Sequence, residues 1–486
     1  MTPPLRKTYR PWTPEVYQQE TLSPRSQLPP GDLVFFLLDV VPQFDLTPFY
    51  APYEVETRGA PSFDPAEMVT LTLYSYCVSV FSSRKIAIAC ERNLAFLAIV
   101  GKDRPDFRTL SDFRKLHLDA LADLFTGLLQ LAQEAGLVQL GAWATDGSKF
   151  PGNASRHKAM SYGYMQKEEQ RLKAEIAQLL TQAQQPDEAE DAALGASRGD
   201  ELPQELQFRE QRLAKIQQAK ARLEEQARAT AQAEHQRHQA AADQRQPGSP
   251  VAQDQQPAGQ PAAGPAAQAT GATPDAKAQT NFTDPELKIM PQANKGWEYS
   301  GNAQVVVDDT CQIIVACAVT SQSNDKQQAV PMVQQALEKL EEAGIGRPST
   351  ATGAVQRILG LFDSGYFSGT AVAGLEDLGI DPYMATARQK HHEAQPGCAS
   401  QRAPAPGTAQ ERMRAKLRTA RGRAVYGWRK GIVEPVFGQI KGARGFRRFS
   451  LRGLQKIRAE WSLVCLTHNL LKVWRYHYTI AGGEPT

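Results

Sequence analysis

Along the first 140 residues apolar side chains recur at threes and fours, a spacing that predicts helices over 32–41, 65–80, 83–91 and 111–135. In the last of these Ser111 stands as N-cap, Phe113, Leu116, Ala120, Leu124, Leu128 and Leu131 form one stripe, and Gly136 is the stop. From 164 the apolar positions thin to Leu172, Ile176 and Leu179, then Leu206, Leu213, Ile216 and Leu223, among Gln, Glu, Lys and Arg. That pattern predicts two helices of a coiled-coil hairpin, with 186–203 as its loop, and His235 and His238 read as solvated residues of the arm. Residues 247–280 are Ala, Gln, Gly and Pro with almost nothing to bury, and read as a disordered linker.

Past the linker the period becomes that of a sheet. Residues 303–308 and 312–320 read as a hairpin, 325–343 as an amphipathic helix through Val330, Val333, Ala336, Leu337 and Leu340, and 358–363 as a buried strand ending in Asp363. A helix over 368–378 and a strand over 382–386 follow. With 142–145 as the first strand, ending at Asp146, the order is β, insertion, β, β, α, β, α, β, α. The order predicts an α/β fold with an RNase H-like mixed sheet flanked by helices, interrupted by a helical coiled-coil insertion and preceded by an all-α domain. First and fourth strands are neighbours in that fold, so Asp146 and Asp363 are expected together at strand C-terminal ends, where open α/β sheets place their sites. The predicted division is 1–140 helical, 141–163 first part of the sheet domain, 164–246 coiled coil, 247–280 linker and 281–478 remainder of the sheet domain.

A chain of 486 residues has room for two or three domains. No apolar stretch reads as a secretory signal or a membrane span, and the six cysteines show neither a CxxC pair nor finger spacing, so reduced thiols and a cytoplasmic location away from membranes are expected. Charge changes the picture more. The whole chain carries only +3, yet 411–458 holds fifteen Lys or Arg against Glu411 and Glu434. Such a density calls for a polyanion, and Tyr426, Trp428, Ile432, Val433, Val436, Phe437, Ile440 and Phe446 between the cations mark a folded segment rather than a solvated tail. Arg84, Lys85, Arg104, Arg108, Arg114 and Lys115 fall on turns and helix starts of the N-terminal region, consistent with a helical DNA-binding domain.

Glu434 precedes Pro435, which suits the first turn of a helix or kinks one begun earlier, and on a helix Glu434, Gly438 and Lys441 share a face. Taken alone, Asp146-Gly147 reads as a turn and Asp363 as a cap; taken with Glu434, three carboxylates suit hard Mg²⁺ or Mn²⁺. His391-His392, in a Gln/Pro/Gly-rich loop, read as no ligand set.

Tyr426, Arg429, Glu434 and Lys441 resemble the Y-x2-R…E-x6-K signature of bacterial insertion-sequence transposases of the DDE class, although four residues separate Arg429 from Glu434 where the general signature has three. EPVFGQIK and FRRFSLRGL are similar to one branch of that family, SSRKIAIACERN and PDFRTLSDFRKLH to its N-terminal domain, and DGSKFPGNASRHKAMSY and LFDSGYFS to its two aspartate blocks. TDPELKIM and YSGNAQVVVD resemble its block after the insertion.

The resemblance implies that Asp146, Asp363 and Glu434 are catalytic and hold two Mg²⁺ ions, with Mn²⁺ able to substitute. The implied partner is double-stranded DNA, as terminal inverted repeats and as target, with a homo-oligomer forming on it. DNA contacts are expected from Tyr426, Arg429, Lys441, Arg444, Arg447, Arg448, Arg108 and Arg114. Of these, Lys441, Arg444, Arg447 and Arg448 are expected to grip phosphates rather than read bases, since no Asn or Gln stands between them. Two alternatives are a nuclease of the same fold that cuts without joining and a DNA-binding descendant with dead chemistry.

Overall fold

The computed structural model describes residues 10, 12, 23–54, 61–190, 202–243, 272–292, 294–347, 355–386 and 407–480. Most of the predicted linker, the centre of the predicted hairpin loop, Cys398 and His391-His392 lie outside the described residues. The chain divides into two compact units, one of residues 1–153 with 290–486 and one of 154–289.

The larger unit begins with helices α1 (Leu33–Val40), α2 (Thr47–Glu54), α3 (Pro65–Cys77), α4 (Ser83–Arg92), α5 (Leu94–Val100), α6 (Phe107–Leu116) and α7 (Leu118–Glu134). Acidic caps start several of them. Asp32 accepts from Val34 N, Asp64 from Ala66 N with Pro65 at the first helical position, and Asp106 from Thr109 N. The helix expected over 111–135 is in fact two, broken at His117. That ring packs among Phe49, Tyr53 and Phe113, and the burial drives its pKa down to about 4, so it is neutral.

The sheet contains β1 (Ala142–Pro151), β4 (Lys288–Pro291), β5 (Trp297–Asp308), β6 (Ile314–Thr320), β7 (Ile358–Phe362) and β8 (Ile380–Met384), in the order β4-β5-β1-β7-β8 with β6 also on β5. β1 runs antiparallel to β5, while β7 lies parallel to both β1 and β8. This is the expected mixed α/β arrangement with first and fourth strands as neighbours. One expectation changes: β1 does not end at Thr145 but continues through Asp146-Gly147 to Pro151, held by its ladder with β5.

Helices α10 (Ala329–Glu342), α11 (Gly369–Asp377), α12 (Ala409–Arg418) and α13 (Ala420–Gly438) follow, the last running into a π turn over Gln439–Ala443. Helix α14 (Leu454–Ile480) packs against α3, α7 and β6 and so ties the N-terminal helices to the sheet. Its Trp461 is fully buried, with Phe150 at 5.0 Å and Phe437, Phe446 and Phe449 around it, and its indole N–H donates to Gln304 O at 3.1 Å. No single helix among the described residues is long and apolar enough to cross a membrane, and none of the five described cysteines is in a disulfide.

The smaller unit is built on β2 (Ala159–Ser161) paired with β3 (Gln279–Asn281) and on helices α8 (Tyr162–Glu190) and α9 (Leu202–Asp243). Met165, Leu172, Ile216, Ala219 and Leu223 make its seam. Beside the seam Glu168 pairs with Arg171 and Arg212, and Glu169 with Lys173 and Lys220, whose hydrogen bonds lower the Glu169 carboxyl to about 2.

Glu67 is the anomaly of the helical region: a carboxyl fully buried on α3 whose neighbour is another carboxyl, Asp103. Burial, with Asp103 and Asp64 adding repulsion against a smaller pull from Arg10, pushes it up from 4.5 to about 9. The folded chain therefore keeps a proton that the unfolded chain releases. The group favours folding most below pH 4.5, and that advantage is lost as pH rises towards 9. Glu67→Gln should flatten this dependence and raise stability at pH 7 by an amount on the order of 3 kcal/mol. Urea unfolding of both proteins from pH 5 to 9 checks it; parallel curves would mean the carboxyl is ionised in the fold.

Candidate active site

β1 and β7 pair with Ala144 opposite Leu361 and Thr145 opposite Phe362. The next residue on each chain is an aspartate, so Asp146 and Asp363 leave the parallel pair side by side. Asp363 also does the modest job expected of it: its Oδ1 accepts from Ser364 N at 2.7 Å and caps the 3-10 turn Ser364–Tyr366.

Asp146 Oδ1 accepts from Gly147 N at 2.8 Å, and Oδ2 pairs with Arg429 Nη1 at 3.1 Å. Burial pushes the Asp146 carboxyl up to about 6, Arg429 pulls against that, and Asp363 and Asp325 reinforce it. For the guanidinium, burial works towards a lower pKa, but Asp146, Tyr426, Asp363 and Glu434 raise it overall. Arg429 is thus paired with Asp146 and lies in the field of Tyr426, Asp363 and Glu434.

Arg429 comes from α13, which Thr419 starts by capping Gly422 N. Pro435 sits inside this helix rather than in its first turn. Its missing N–H leaves the Gly431 carbonyl without a helical donor, and Gln312 Nε2 supplies one at 2.9 Å. After the π turn begins, Lys441 reaches β1: its ammonium donates to Ser148 Oγ at 2.6 Å and Lys149 O at 3.2 Å and lies 4.3 Å from the Phe150 ring centroid. Glu434 is exposed on α13 and Tyr426 is half-buried.

Three of the expected DNA contacts need correction. Arg444 is 4% exposed and its guanidinium donates to Val464 O, Tyr76 O and Thr467 Oγ1, tying the turn after α13 to α14 and α3. Arg114 is 9% exposed and donates to the Tyr76 hydroxyl, Phe81 O and Ser83 Oγ. Both are interior staples, because a guanidinium with five donors can satisfy several carbonyls at once. Arg429 faces Asp146 rather than solvent. Arg447, Arg448 and Arg108 are exposed, and Arg108 and Arg84 flank the Phe107 ring at 5.6 and 5.0 Å.

Three buried residues at the site have no counterpart in the sequence reading: Asn302, Gln304 and Tyr366, with the half-buried Asp325 beside them. The two amides are legible in the sequence, since they alternate just before the apolar run Val305–Val307. Among the described residues no three His, Cys, Asp or Glu side chains form a ready-made metal cage. The donors that do converge are carboxylates, and a guanidinium already answers their charge.

A family described as "Transposase DDE domain" matches residues 392–474, and one described as "Transposase domain (DUF772)" matches residues 22–116. Both matches are to transposase domains, and together they indicate an insertion-sequence transposase of the DDE type. The first match contains Tyr426, Arg429, Glu434 and Lys441, whereas Asp146 and Asp363 lie outside both. No curated protein and no solved structure matches the chain.

The basic side chains around α13 divide into two sets that behave differently. Replacing Arg447 and Arg448 together by Ala should make log K for duplex DNA against log salt shallower by about 2 units, at about 0.9 per phosphate contact. Arg444→Ala should leave the slope alone but cost at least about 2 kcal/mol of stability, since buried carbonyls lose charged donors. Filter binding across a salt series, with urea unfolding, separates the two; a slope change for Arg444→Ala would contradict its place in the core.

Proposed function

We propose that this transposase binds the ends of its insertion sequence, cuts them and joins them to target DNA, using Asp146, Asp363 and Glu434 with divalent metal. The observation that carries the reading is the adjacency of Asp146 and Asp363 across the β1–β7 pair, with Arg429 of α13 against Asp146 and Glu434 of the same helix within the electrostatic reach of Arg429. All-carboxylate oxygen donors suit Mg²⁺ or Mn²⁺, and the attraction of Arg429 to Asp146 marks the position as one that draws a cation. Bound there, two divalent ions would activate the attacking oxygen and stabilise the leaving one at phosphorus.

The chain's own contribution is placement. In cleavage, a water oxygen bonds to phosphorus as the P–O3′ bond breaks, leaving a 3′-hydroxyl and a 5′-phosphate. In joining, that 3′-hydroxyl attacks a target phosphodiester and a target 3′-hydroxyl leaves. Both displacements need the same oxygen-activating site, so one set of carboxylates serves both. Arg447, Arg448 and the other exposed cations of the basic segment hold phosphates, and the helical N-terminal region supplies preference for the element's ends. A homo-oligomer would bring two ends together.

The test is cleavage and joining of a duplex carrying the element's own end sequence in Mg²⁺. Asp146→Asn, Asp363→Asn and Glu434→Gln should each slow cleavage by more than about 10³-fold, roughly 4 kcal/mol in the barrier, while retaining DNA binding. Cleavage at the normal rate in any of them removes that residue from the site. Cleavage without joined products would instead favour a nuclease.

A further inference from the structure

Asp325 lies in the irregular stretch between β6 and α10. Asn302 and Gln304, alternate residues on one face of β5, are 1% and 0% exposed, and both donate to the same oxygen: Asn302 Nδ2 at 2.7 Å and Gln304 Nε2 at 2.6 Å from Asp325 Oδ1. Gln304 Oε1 in turn accepts from the Tyr366 hydroxyl, at the end of the turn that Asp363 caps.

The backbone leaves room for this chain at Gly147. A Cβ on Gly147, next to Asp146, would stand 2.2 Å from Gln304 Nε2 and 2.9 Å from Asp325 Oδ1. One on Gly365 would stand 3.7 Å from Asp325 Oδ2, an ordinary contact that a side chain could make. Gly147 is therefore a glycine for close approach rather than for a turn.

The direction of the chain follows from donor chemistry. Asp325 Oδ1 accepts from both amide nitrogens, so the amide nitrogen of Gln304 faces Asp325 and its oxygen faces Tyr366, which donates. Without Asp325 the amide has no fixed orientation, and the Tyr366 hydroxyl loses a guaranteed acceptor in a buried place where an unmade bond is costly. We propose that Asp325 is a positioning residue: through Gln304 and Tyr366 it fixes the Asp146 segment of β1 against the turn that carries Asp363, and cation uptake by the two aspartates depends on it. This rests on the reading of Asp146 and Asp363 as cation ligands.

The experiment is Mn²⁺ titration of the full chain without DNA, followed by electron paramagnetic resonance of the free ion, with thermal unfolding of each variant in parallel. Asp146→Asn comes first; if it binds Mn²⁺ as the native chain does, the metal reading itself fails and takes the proposal with it. If Asp146→Asn loses Mn²⁺, then Asp325→Ala and Tyr366→Phe should weaken binding by about 10- to 100-fold, as loss of outer-shell partners does. Asp325→Asn, which keeps an acceptor for both amides, should stay close to the native affinity. Native affinity in a folded Asp325→Ala overturns the proposal, as does Asp325→Asn falling as far as Asp325→Ala, which would make the charge rather than the hydrogen bonds decisive. Should Asp325→Ala not fold, Tyr366→Phe, which removes one oxygen from the same chain, decides by the same two outcomes.

Discussion

A carboxylate on a strand in the middle of a sheet needs a counter-charge, and the pairing of Asp146 with Arg429 at 3.1 Å is how this chain provides one. Desolvating a carboxylate costs several kcal/mol, and removing one partner of a buried pair leaves the other uncompensated. Helix α13 must therefore be held in one place over β1. The bond from Gln312 to the Gly431 carbonyl fixes it within its length, and the bonds from Lys441 to Ser148 and Lys149 fix the π turn at its end. Glu434 and Tyr426 are carried into range by the same constraint, since they ride on the helix that supplies the guanidinium.

The basic segment consequently works in three ways. Arg429 neutralises a carboxylate, Arg444 satisfies carbonyls of α3 and α14, and Arg447 and Arg448 face solvent. The inward set explains why so dense a run of cations folds: its charge is partly spent on interior acceptors. Arg114 does the equivalent work between α3, α6 and the start of α4, so the helical region and the sheet share one packed body.

Much of the fold is legible in sequence because the sheet strands are short apolar runs bounded by polar breaks, as at 303–308 and 358–362. The break at His117 is not, since the apolar stripe runs straight through it and the ring's contacts with Phe49 and Phe113 are tertiary. Nor is the length of β1: Asp-Gly-Ser-Lys imitates a turn, and the ladder with β5 overrides it. Helix α14 buries residues around most of its circumference, so no polar face marks its period. In the candidate site Asp146, Asp363 and Glu434 stand out as carboxylates after apolar runs or among cations, but charge alone does not say which way an arginine points. Arg114, Arg429 and Arg444 turn inward because of tertiary acceptors that composition does not reveal. Asp325 is hidden for the same reason: its importance lies in two amides some twenty residues earlier on β5.

If the pairing of Asp146 with Arg429 holds the place that a metal ion takes in the working transposase, then an ion and the guanidinium compete for Asp146. The most direct measurement is anomalous scattering from crystals grown with Mn²⁺ and a duplex carrying the element's end. The account predicts anomalous density against Asp146 and Asp363, with Arg429 withdrawn from the Asp146 oxygen. Manganese bound elsewhere, with the ion pair intact beside cleavage-competent DNA, would contradict it.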